Sequence, residues 1–215
     1  MSKDNAIAIL GIHTGIGKTI ASAVIAEAIN ADYWKPVQAG TDEPDSMQVK
    51  ELLTNGSARV HNEAVTLSQP LSPHAAAIID GVTIDFTKFE WPKTNKTLLV
   101  ETAGGILSPI SGDSTMVDFV QHYNLPAILV AQNYLGSINH TLLSIEVLKS
   151  RGIKLLGIVI NGVANEASES FIELYGGIPI IARIPHFDVV DHNSVIQYAA
   201  KIKITLTNMF AGKSQ

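Results

Sequence analysis

The amino-acid sequence predicts a single-domain α/β protein with a doubly wound, mostly parallel sheet that is flanked by helices. Short apolar runs of strand length alternate along the chain with longer stretches that have helical spacing. The 215 residues are 46% hydrophobic, which suffices for one continuous core. Because no repeat, linker or low-complexity segment interrupts the alternation, we expect residues 1–215 to form one domain.

The alternation begins with a strand, a glycine-rich loop and a helix. The apolar run Ala6–Leu10 is followed by glycine and is typical of a strand that is buried on both faces of a parallel sheet. The stretch Lys18–Asn30 is rich in alanine and repeats apolar residues at helical intervals. The loop between them begins at Gly11.

Further strands and helices continue the pattern. The strands are predicted at Tyr33–Val37, Thr97–Glu101, Ala127–Ala131, Leu155–Ile160 and Ile178–Ala182. The helices are predicted at Ser46–Leu53, Pro73–Ile79, Met116–Tyr123, Ile138–Lys149, Glu166–Tyr175 and Asn193–Phe210. The proline-containing segment Thr54–Lys96 shows no clear strand and is expected to lie over one end of the sheet. Residues Gly212–Gln215 are expected to fray.

Composition excludes several classes of protein. The absence of cysteine rules out disulfides, thiolate metal sites and a cysteine nucleophile. The net charge is −5 and the basic residues form no block that could follow a phosphate backbone, so no nucleic-acid partner is expected. The amino-terminal apolar run is too short to span a membrane. We therefore expect a cytoplasmic protein with no membrane partner.

The segment Gly11–Thr19 predicts a phosphate-binding loop, because it joins a buried strand to the start of a helix. Small residues such as Gly15 and Gly17 let backbone N–H groups approach phosphate oxygens, and the helix amino terminus adds partial positive charge. Lys18 is expected to reach the terminal phosphates, and Thr19 to hold Mg²⁺. The loop is unusual in having five residues, not four, between its first glycine and the Gly-Lys pair. We therefore expect a nucleotide-binding fold similar to that of the P-loop NTPases.

Other polar residues are expected at the same edge of the sheet. Lys35 lies near the end of the second predicted strand and Glu101 ends the third, where ligands bind in open α/β sheets. A second ammonium group beside Lys18 would stabilise charge on transferring oxygens, and an acid in this place commonly holds Mg²⁺. Asp45 precedes a predicted helix, so it is a candidate metal ligand, helix cap or both. Asp42 competes with it for the metal, and spacing does not choose between them.

In this order the motifs resemble those of the dethiobiotin synthetases over nearly the whole chain. Beyond the loop spacing, the similar positions are Lys35-Pro36-Val37, Asp45, Ser72-Pro73-His74, Glu101–Gly105, Leu135–His140, Asn161 and Ile184-Pro185. The resemblance implies an ATP- and Mg²⁺-dependent ligase of biotin biosynthesis that closes a ureido ring. 7,8-Diaminononanoate takes up CO₂ as a carbamate, ATP phosphorylates the carbamate to a carbamic-phosphoric anhydride, and the second amine displaces phosphate to give dethiobiotin.

The resemblance also implies roles for individual residues. The catalytic residues would be Lys35, Lys18 and Thr14, and the metal ligands would be Thr19, Asp45 and Glu101. Contacts to ATP are implied for Gly15, Ile16, Gly17, Lys18, Thr19, Ile20, Asp45, Glu101, Thr102, Ala103, Gly104, Asn161, Gly162, Ile184, Pro185 and His186. Contacts to the diamine are implied for Ala39, Ser72, Pro73, Gly136, Ser137, Ile138 and Asn139.

The resemblance further implies a homodimer, because dethiobiotin synthetases bind their substrate at the interface between two subunits. In this sequence Gly136–Asn139 would be the helix start that takes the far carboxylate of the partner's substrate, and backbone N–H groups suit that role. A plain loop-to-helix junction capped by Ser137 is the alternative. At position 39 the family frequently has a hydroxyl residue that contacts the diamine, whereas this chain has alanine. That contact would be absent or made instead by Gln38 or Thr41. The chain also differs from the residues that are commoner in the family at Thr102, Gly162 and His186.

Two further classes of ATP-dependent protein are alternatives. A cobyrinic acid-type amidoligase normally carries a glutaminase domain with a nucleophilic cysteine, for which this chain has neither room nor cysteine. A partition or septum-site ATPase switch carries a second lysine in the loop, where this chain has His13, which we interpret as a solvated loop residue. Such a switch often ends in a basic amphipathic helix, and the mixed segment Tyr198–Phe210 argues against one.

Overall fold

The structure is a computed structural model that describes residues 5–187 and 189–211, without the side chains of residues 58, 210 and 211. The predicted fraying of residues 212–215 lies outside the described residues. The strands are β1 (Ala6–Gly11), β2 (Asp32–Trp34), β3 (Val37–Ala39), β4 (Val60–His61), β5 (Val65–Leu67), β6 (Leu98–Glu101), β7 (Ala127–Gln132), β8 (Leu155–Asn161) and β9 (Ile180–Ile184). The helices are α1 (Lys18–Ile29), α2 (Asp45–Leu52), α3 (Gly56–Arg59), α4 (Pro73–Asp80), α5 (Met116–His122), α6 (Ser137–Ser150), α7 (Glu166–Gly176) and α8 (His192–Ala211), with a short 3₁₀ helix at Phe86–Lys88.

The main sheet confirms the predicted fold class. Within the described residues it has seven strands in the order β4-β2-β6-β1-β7-β8-β9, and every pairing is parallel. All six residues of β1 are buried, as expected for the centre of such a sheet. The chain leaves β1 toward β2 on one side and passes from β7 to β8 on the other, so right-handed crossovers put helices on both faces. The strand order therefore reverses at β1, and the crevice at its carboxyl end is the expected ligand site.

The second predicted strand, Tyr33–Val37, is wrong as one continuous element. β2 ends at Trp34 and pairs with β6 and β4, whereas β3 begins at Val37 and pairs with β5 in a separate two-stranded sheet. The break falls at Pro36, which has no N–H group to continue the ladder. Its carbonyl instead accepts hydrogen bonds from the backbone N–H groups of residues 64 and 65, both at 2.9 Å. Lys35 therefore projects from the break, beside the carboxyl end of β2.

The segment Thr54–Lys96, in which the sequence shows no clear strand, contains two short ones. β4 pairs with β2 at the edge of the main sheet, and β5 completes the small sheet with β3. Strands of two and three residues are too short to show a period in the sequence. β9 lies two residues beyond its predicted bounds Ile178–Ala182, because Pro179 precedes the ladder and its carbonyl accepts the N–H of Ile158 at 2.9 Å.

The other predicted elements agree with the structure to within one residue at each end. Helix α1, for example, ends at Ile29, and Asn30 caps it in the left-handed conformation. In the part of the chain that the structure describes, no helix is both long enough and apolar enough to cross a membrane.

Candidate active site

A cavity of about 580 Å³ opens at the carboxyl ends of the central strands. Its walls come from the loop after β1, the break between β2 and β3, the start of α2, the start of α4 and the loop after β6. The lining residues are Thr14, Gly15, Gly17, Lys18, Thr19, Ile20, Lys35, Gln38, Ala39, Asp45, Gln48, Pro70, Leu71, Ser72, Pro73, Glu101, Ala103, Gly104 and Ser108. The polar residues predicted from different parts of the sequence therefore meet in one place.

The loop between β1 and α1 has the geometry of a phosphate cradle. Gly15 and Gly17 adopt φ values of 75° and 81°, in the left-handed region that favours glycine. Helix α1 begins at Lys18 with no acidic residue in its first turn, so its amino-terminal N–H groups keep their positive character. The amide of Asn161, at the end of β8, donates to the Ile16 carbonyl at 2.9 Å and so connects the loop to a strand two places away from β1 in the sheet. Backbone donors, helix dipole and lysine thus converge, as an anionic ligand requires.

Lys18 and Lys35 face this cavity from neighbouring segments. Both are almost fully buried, with 7% and 6% of their surface exposed. Burial lowers the pKa of Lys18 and Lys35 lowers it further, against the attraction of Glu101 and Asp45. For Lys35, burial acts in the same direction, but its contacts with Glu101 and Asp45 outweigh burial and raise its pKa. Two cationic groups therefore lie at one site, and Lys35 is the one held firmly in its charged form.

The carboxylates of Asp45 and Glu101 meet at the hydroxyl of Thr19. Its Oγ1 donates to Asp45 Oδ1 at 2.5 Å and lies 3.2 Å from Glu101 Oε1. Lys35 Nζ forms ion pairs with Asp45 Oδ2 and with Glu101 Oε1, the latter at 3.3 Å. Burial works to raise the pKa of Asp45, but Lys35 and the Thr19 hydroxyl outweigh it and lower the pKa. Asp42 lies in the exposed loop before α2, so geometry favours Asp45 over Asp42.

The chemistry of these donors suits a small hard cation. Thr19, Asp45 and Glu101 present a hydroxyl and two carboxylate oxygens, and Mg²⁺ prefers oxygen ligands while keeping several waters. Among the described residues no group of three or more His, Asp or Glu side chains could hold a metal by itself. A cation site here would use Thr19, in the first turn of α1, as well as the two acids.

Two buried hydroxyls complete the surroundings of Glu101, and the sequence argument missed both. Ser22 Oγ and Tyr33 Oη donate to Glu101 Oε2 at 2.8 and 3.1 Å. Burial and the negative charge of Glu101 raise the pKa of Tyr33 well above its usual value, so it stays a donor. Ser22 lies one helical turn after Lys18 and Tyr33 lies two residues before Lys35, but the sequence carries no signal that either side chain contacts Glu101.

Comparison with known proteins identifies the family. The family described as AAA domain matches residues 5–194. The ATP-dependent dethiobiotin synthetase BioD of Christiangramia forsetii is 43% identical over 196 residues, covering 91% of this chain and 94% of that protein. The chain belongs to the dethiobiotin synthetase family. The resemblance inferred from the motifs is thereby confirmed.

Further relatives and folds agree with this membership. The dethiobiotin synthetase of Chlamydia pneumoniae is 42% identical, covering 96% of this chain and 93% of that protein. The septum site-determining protein MinD from Pyrococcus horikoshii, solved with Mg-ADP, superimposes with a TM-score of 0.55 at 15% identity and covers 98% of both chains. That likeness concerns the fold, which is the P-loop NTPase fold expected from the sequence.

The remaining residues expected from the dethiobiotin synthetases lie outside this cavity. Ile16 and Thr102 are buried, and the Thr102 hydroxyl donates to the Ile9 carbonyl at 3.2 Å. The Gly162 N–H, next to Asn161, donates to the Ile184 carbonyl at 2.7 Å. This hydrogen bond joins the two segments that are predicted to bind adenine. Pro185 and His186 follow Ile184 and are exposed. The residues Gly136, Ile138 and Asn139 line a second cavity of about 680 Å³, next to the buried Ser137.

The cavity walls also contain residues that the motifs did not identify. Gln48, Pro70, Leu71 and Ser108 line it without belonging to a recognisable pattern. Ser108 accepts the Gly105 N–H at 2.8 Å, and a Cβ on Gly104 would lie 2.3 Å from the Ser108 oxygen. The Ser108 side chain therefore packs against the backbone of its own loop. This leaves no room for a side chain at position 104, which requires glycine.

Proposed function

We propose that this chain is an ATP-dependent dethiobiotin synthetase that converts 7,8-diaminononanoate and CO₂ to dethiobiotin. The observation that carries the proposal is the convergence of Lys18, Lys35 and Thr14 with the Thr19, Asp45 and Glu101 cluster on one cavity. Carbamate and triphosphate are both anionic, and their repulsion must be overcome before they react. Two buried ammonium groups at one site supply that neutralisation.

The first step is the capture of CO₂. An amine of the substrate forms a C–N bond to CO₂ and loses a proton, which leaves a carbamate anion. Lys35 is assigned to the carbamate because it is buried at the break between β2 and β3 and keeps its charge. Thr14 is assigned to the same group, since it is an exposed residue of the phosphate loop that lines the same cavity. These two residues orient the carbamate oxygen toward the phosphate loop.

The second step transfers the terminal phosphoryl group of ATP to a carbamate oxygen. One P–O bond to ADP breaks as one P–O bond to the carbamate forms, so no covalent enzyme intermediate is required. Lys18 and the N–H groups at the start of α1 stabilise the charge that develops on the transferring oxygens. Thr19, Asp45 and Glu101 are the residues that would hold Mg²⁺, which when bound neutralises charge on the phosphates.

The third step closes the ring. The second amine attacks the carbamoyl carbon, the C–O bond to phosphate breaks, and the amine releases its proton to give dethiobiotin and inorganic phosphate. The wall that faces the diamine is assigned to Ala39, Ser72 and Pro73. Ser72 precedes α4, and its Oγ lies 3.0 Å from His74 Nδ1, which holds the hydroxyl in place.

The proposal includes a homodimer with a shared site. Within one chain, Gly136 and Asn139 line a different cavity from Lys35, and we therefore assign this helix start to the carboxylate of a substrate held at Lys35 of a second copy. Leu135 and Leu143 are exposed beside that helix start, and burying such apolar side chains favours association. Helix α6 has 14 residues with no acid in its first turn, which suits an anionic partner.

Product analysis tests the proposed function. Purified protein with diaminononanoate, bicarbonate, Mg²⁺ and ATP is expected to release dethiobiotin, ADP and phosphate in equal amounts, followed by mass spectrometry. The variant Lys35→Ala is expected to lose at least about 100-fold in turnover while binding ATP, because it removes charge stabilisation at the carbamate. Lys50→Ala, an exposed lysine on α2, is the matched control and is expected to retain activity. ATP hydrolysis that does not respond to the diamine, with no dethiobiotin formed, overturns the proposal and favours an ATPase switch.

A further inference from the structure

The two oxygens of the Glu101 carboxylate have different partners. Oε1 faces the site, 3.2 Å from Thr19 Oγ1 and 3.3 Å from Lys35 Nζ. Oε2 points away from it and accepts hydrogen bonds from Ser22 Oγ at 2.8 Å and Tyr33 Oη at 3.1 Å. The carboxylate is 1% exposed and both hydroxyl residues are 0% exposed, so water does not compete for Oε2.

Separate elements hold this arrangement rigid. Ser22 projects from α1, one turn after the lysine that opens the helix, and Tyr33 projects from β2 in register with Leu99 of β6. Rotating Glu101 so that both oxygens faced the site would leave the buried hydroxyls of Ser22 and Tyr33 without an acceptor, which is unfavourable. Asp45 is not held in this way, because its side chain is 26% exposed and its oxygens contact Thr19 and Lys35.

Carboxylate geometry distinguishes the common divalent cations. Ca²⁺ takes six to eight oxygen ligands and readily accepts both oxygens of one carboxylate, whereas Mg²⁺ requires a near-octahedral shell, takes one oxygen from each carboxylate and keeps its waters. A glutamate restricted to one oxygen offers less to Ca²⁺ and fits Mg²⁺. We propose that Ser22 and Tyr33 are positioning residues that restrict Glu101 to a single oxygen and thereby select Mg²⁺ over Ca²⁺ at this site. The inference rests on the metal role that the proposed function gives to Glu101.

The test measures cation selectivity by nucleotide binding and does not depend on turnover. ATP affinity is measured by calorimetry with Mg²⁺ and with Ca²⁺ for the parent protein, Ser22→Ala, Tyr33→Phe and the double variant. Outer-shell partners of metal ligands typically change metal affinity by 10- to 100-fold, so the double variant is expected to shift the Ca²⁺-to-Mg²⁺ affinity ratio toward Ca²⁺ by about tenfold. The matched control is Ser144→Ala with Tyr123→Phe, which removes two buried hydroxyls that donate to the carbonyls of His140 and Phe86. Its ratio is expected to equal that of the parent.

The outcomes separate this inference from the proposed function. An unchanged ratio in the double variant, with ATP affinity falling equally for both cations, overturns the selectivity role and leaves Glu101 as a metal ligand. If Glu101→Gln leaves the cation dependence of ATP binding intact, the metal assignment itself fails. Thermal unfolding shows whether each variant is folded. If the double variant does not fold, the Ca²⁺-to-Mg²⁺ affinity ratio of Tyr33→Phe is used instead. That variant keeps the buried ring, and an unchanged ratio in it overturns the inference.

Discussion

The side-chain amide of Asn161 lies directly against Gly17 in the phosphate loop. Asn161 Nδ2 donates to the Ile16 carbonyl at 2.9 Å across 145 positions of sequence. A Cβ added to Gly17 would lie 2.1 Å from that nitrogen, and the φ of Gly17 is +81°. The loop is therefore closed by a residue from β8, and both space and backbone conformation require glycine at position 17.

Variants of Gly17 and Asn161 distinguish the requirement for space from the requirement for a left-handed backbone conformation. Gly17→Ala is expected to weaken ATP binding by about 10- to 100-fold, because a strained backbone residue costs of order 1–3 kcal/mol and the Asn161 amide is displaced. In an Asn161→Ala background the clash is absent and only the unfavourable φ remains, so Gly17→Ala is expected to lower ATP affinity less there than it does in the parent. Gly152→Ala is the control, since Gly152 has a φ of +68° and open space around it. Equal ATP affinity in Gly17→Ala and the parent, measured by calorimetry, contradicts the geometric argument.

Residues that stand next to a long element were predictable from the sequence. Lys18 and Thr19 open a helix after a buried strand, and Glu101 ends a strand, so parallel topology alone brings them to one edge. Lys35 was expected at that edge because it was assigned to a continuous strand. The position is right, but the strand breaks at Pro36. The break serves the site, since it turns Lys35 toward Asp45 and Glu101.

Residues that act through long-range contacts were not predictable in this way. Ser22 and Tyr33 read as ordinary helix and strand residues, and only packing against Glu101 shows their role. The choice between Asp42 and Asp45 likewise depends on the fold of the loop, which the sequence does not determine. Strands β4 and β5 depend on partners distant in sequence, because two or three residues carry too little pattern to predict pairing.

The side chain of Gln38 is already hydrogen-bonded within the protein, so it does not supply the diamine contact that Ala39 is proposed to lack. The Gln38 amide donates to the carbonyls of Ala39 and Gly40 at 3.2 and 3.1 Å and accepts the Asp45 N–H at 3.3 Å. Ala39→Ser is therefore expected to lower the KM for the diamine by about 2- to 10-fold, the range of one added hydrogen bond, with the KM for ATP unchanged. Ala167→Ser, exposed on α7, is the control for a surface hydroxyl. An unchanged diamine KM means that another group already supplies this contact.

Glu169 gives the fold a dependence on acid pH. It is 2% exposed and accepts hydrogen bonds from the Asn165 N–H at 2.9 Å, Asn133 Nδ2 at 2.8 Å and Arg183 Nε at 2.5 Å. Burial works to raise its pKa, but these bonds outweigh burial and lower the pKa from its usual 4.5. A lowered folded-state pKa contributes stability above the unfolded value of about 4.3, and this contribution is lost as pH falls through the folded pKa.

Substitution of Glu169 isolates that contribution. Glu169→Gln is expected to lower the free energy of unfolding by about 1–3 kcal/mol at pH 7, since three donors lose a charged acceptor. The difference from the parent is expected to shrink as pH falls below the unfolded-state pKa of about 4.3, and to be lost as pH passes through the lowered folded-state pKa of the parent carboxylate. Denaturant titrations at pH 7 and pH 3 measure it, with the exposed Glu166→Gln as control. A difference that stays constant between the two pH values shows that the charge of Glu169 is not the cause.

Subunit complementation tests whether Lys35 and the start of α6 serve the same site from different chains. Lys35→Ala removes the ammonium at the carbamate, and Asn139→Asp adds a negative charge where the far carboxylate is proposed to bind. Asn139 is exposed in the first turn of α6, where an acid favours the helix, so the second change is expected to spare the fold. Each variant alone is expected to be inactive as a homodimer.

In a dimer that contains one copy of each variant, one site has both defects and the other has none. The purified mixed dimer is therefore expected to have about half of the parent activity, because one of its two sites is intact. The measurement is turnover of co-expressed, differently tagged chains after purification of the mixed dimer, with light scattering to confirm its mass. Asn193→Asp, exposed in the first turn of α8, replaces Asn139→Asp as control and is expected to be active alone. Mixed dimers that remain inactive place the carboxylate site within a single chain.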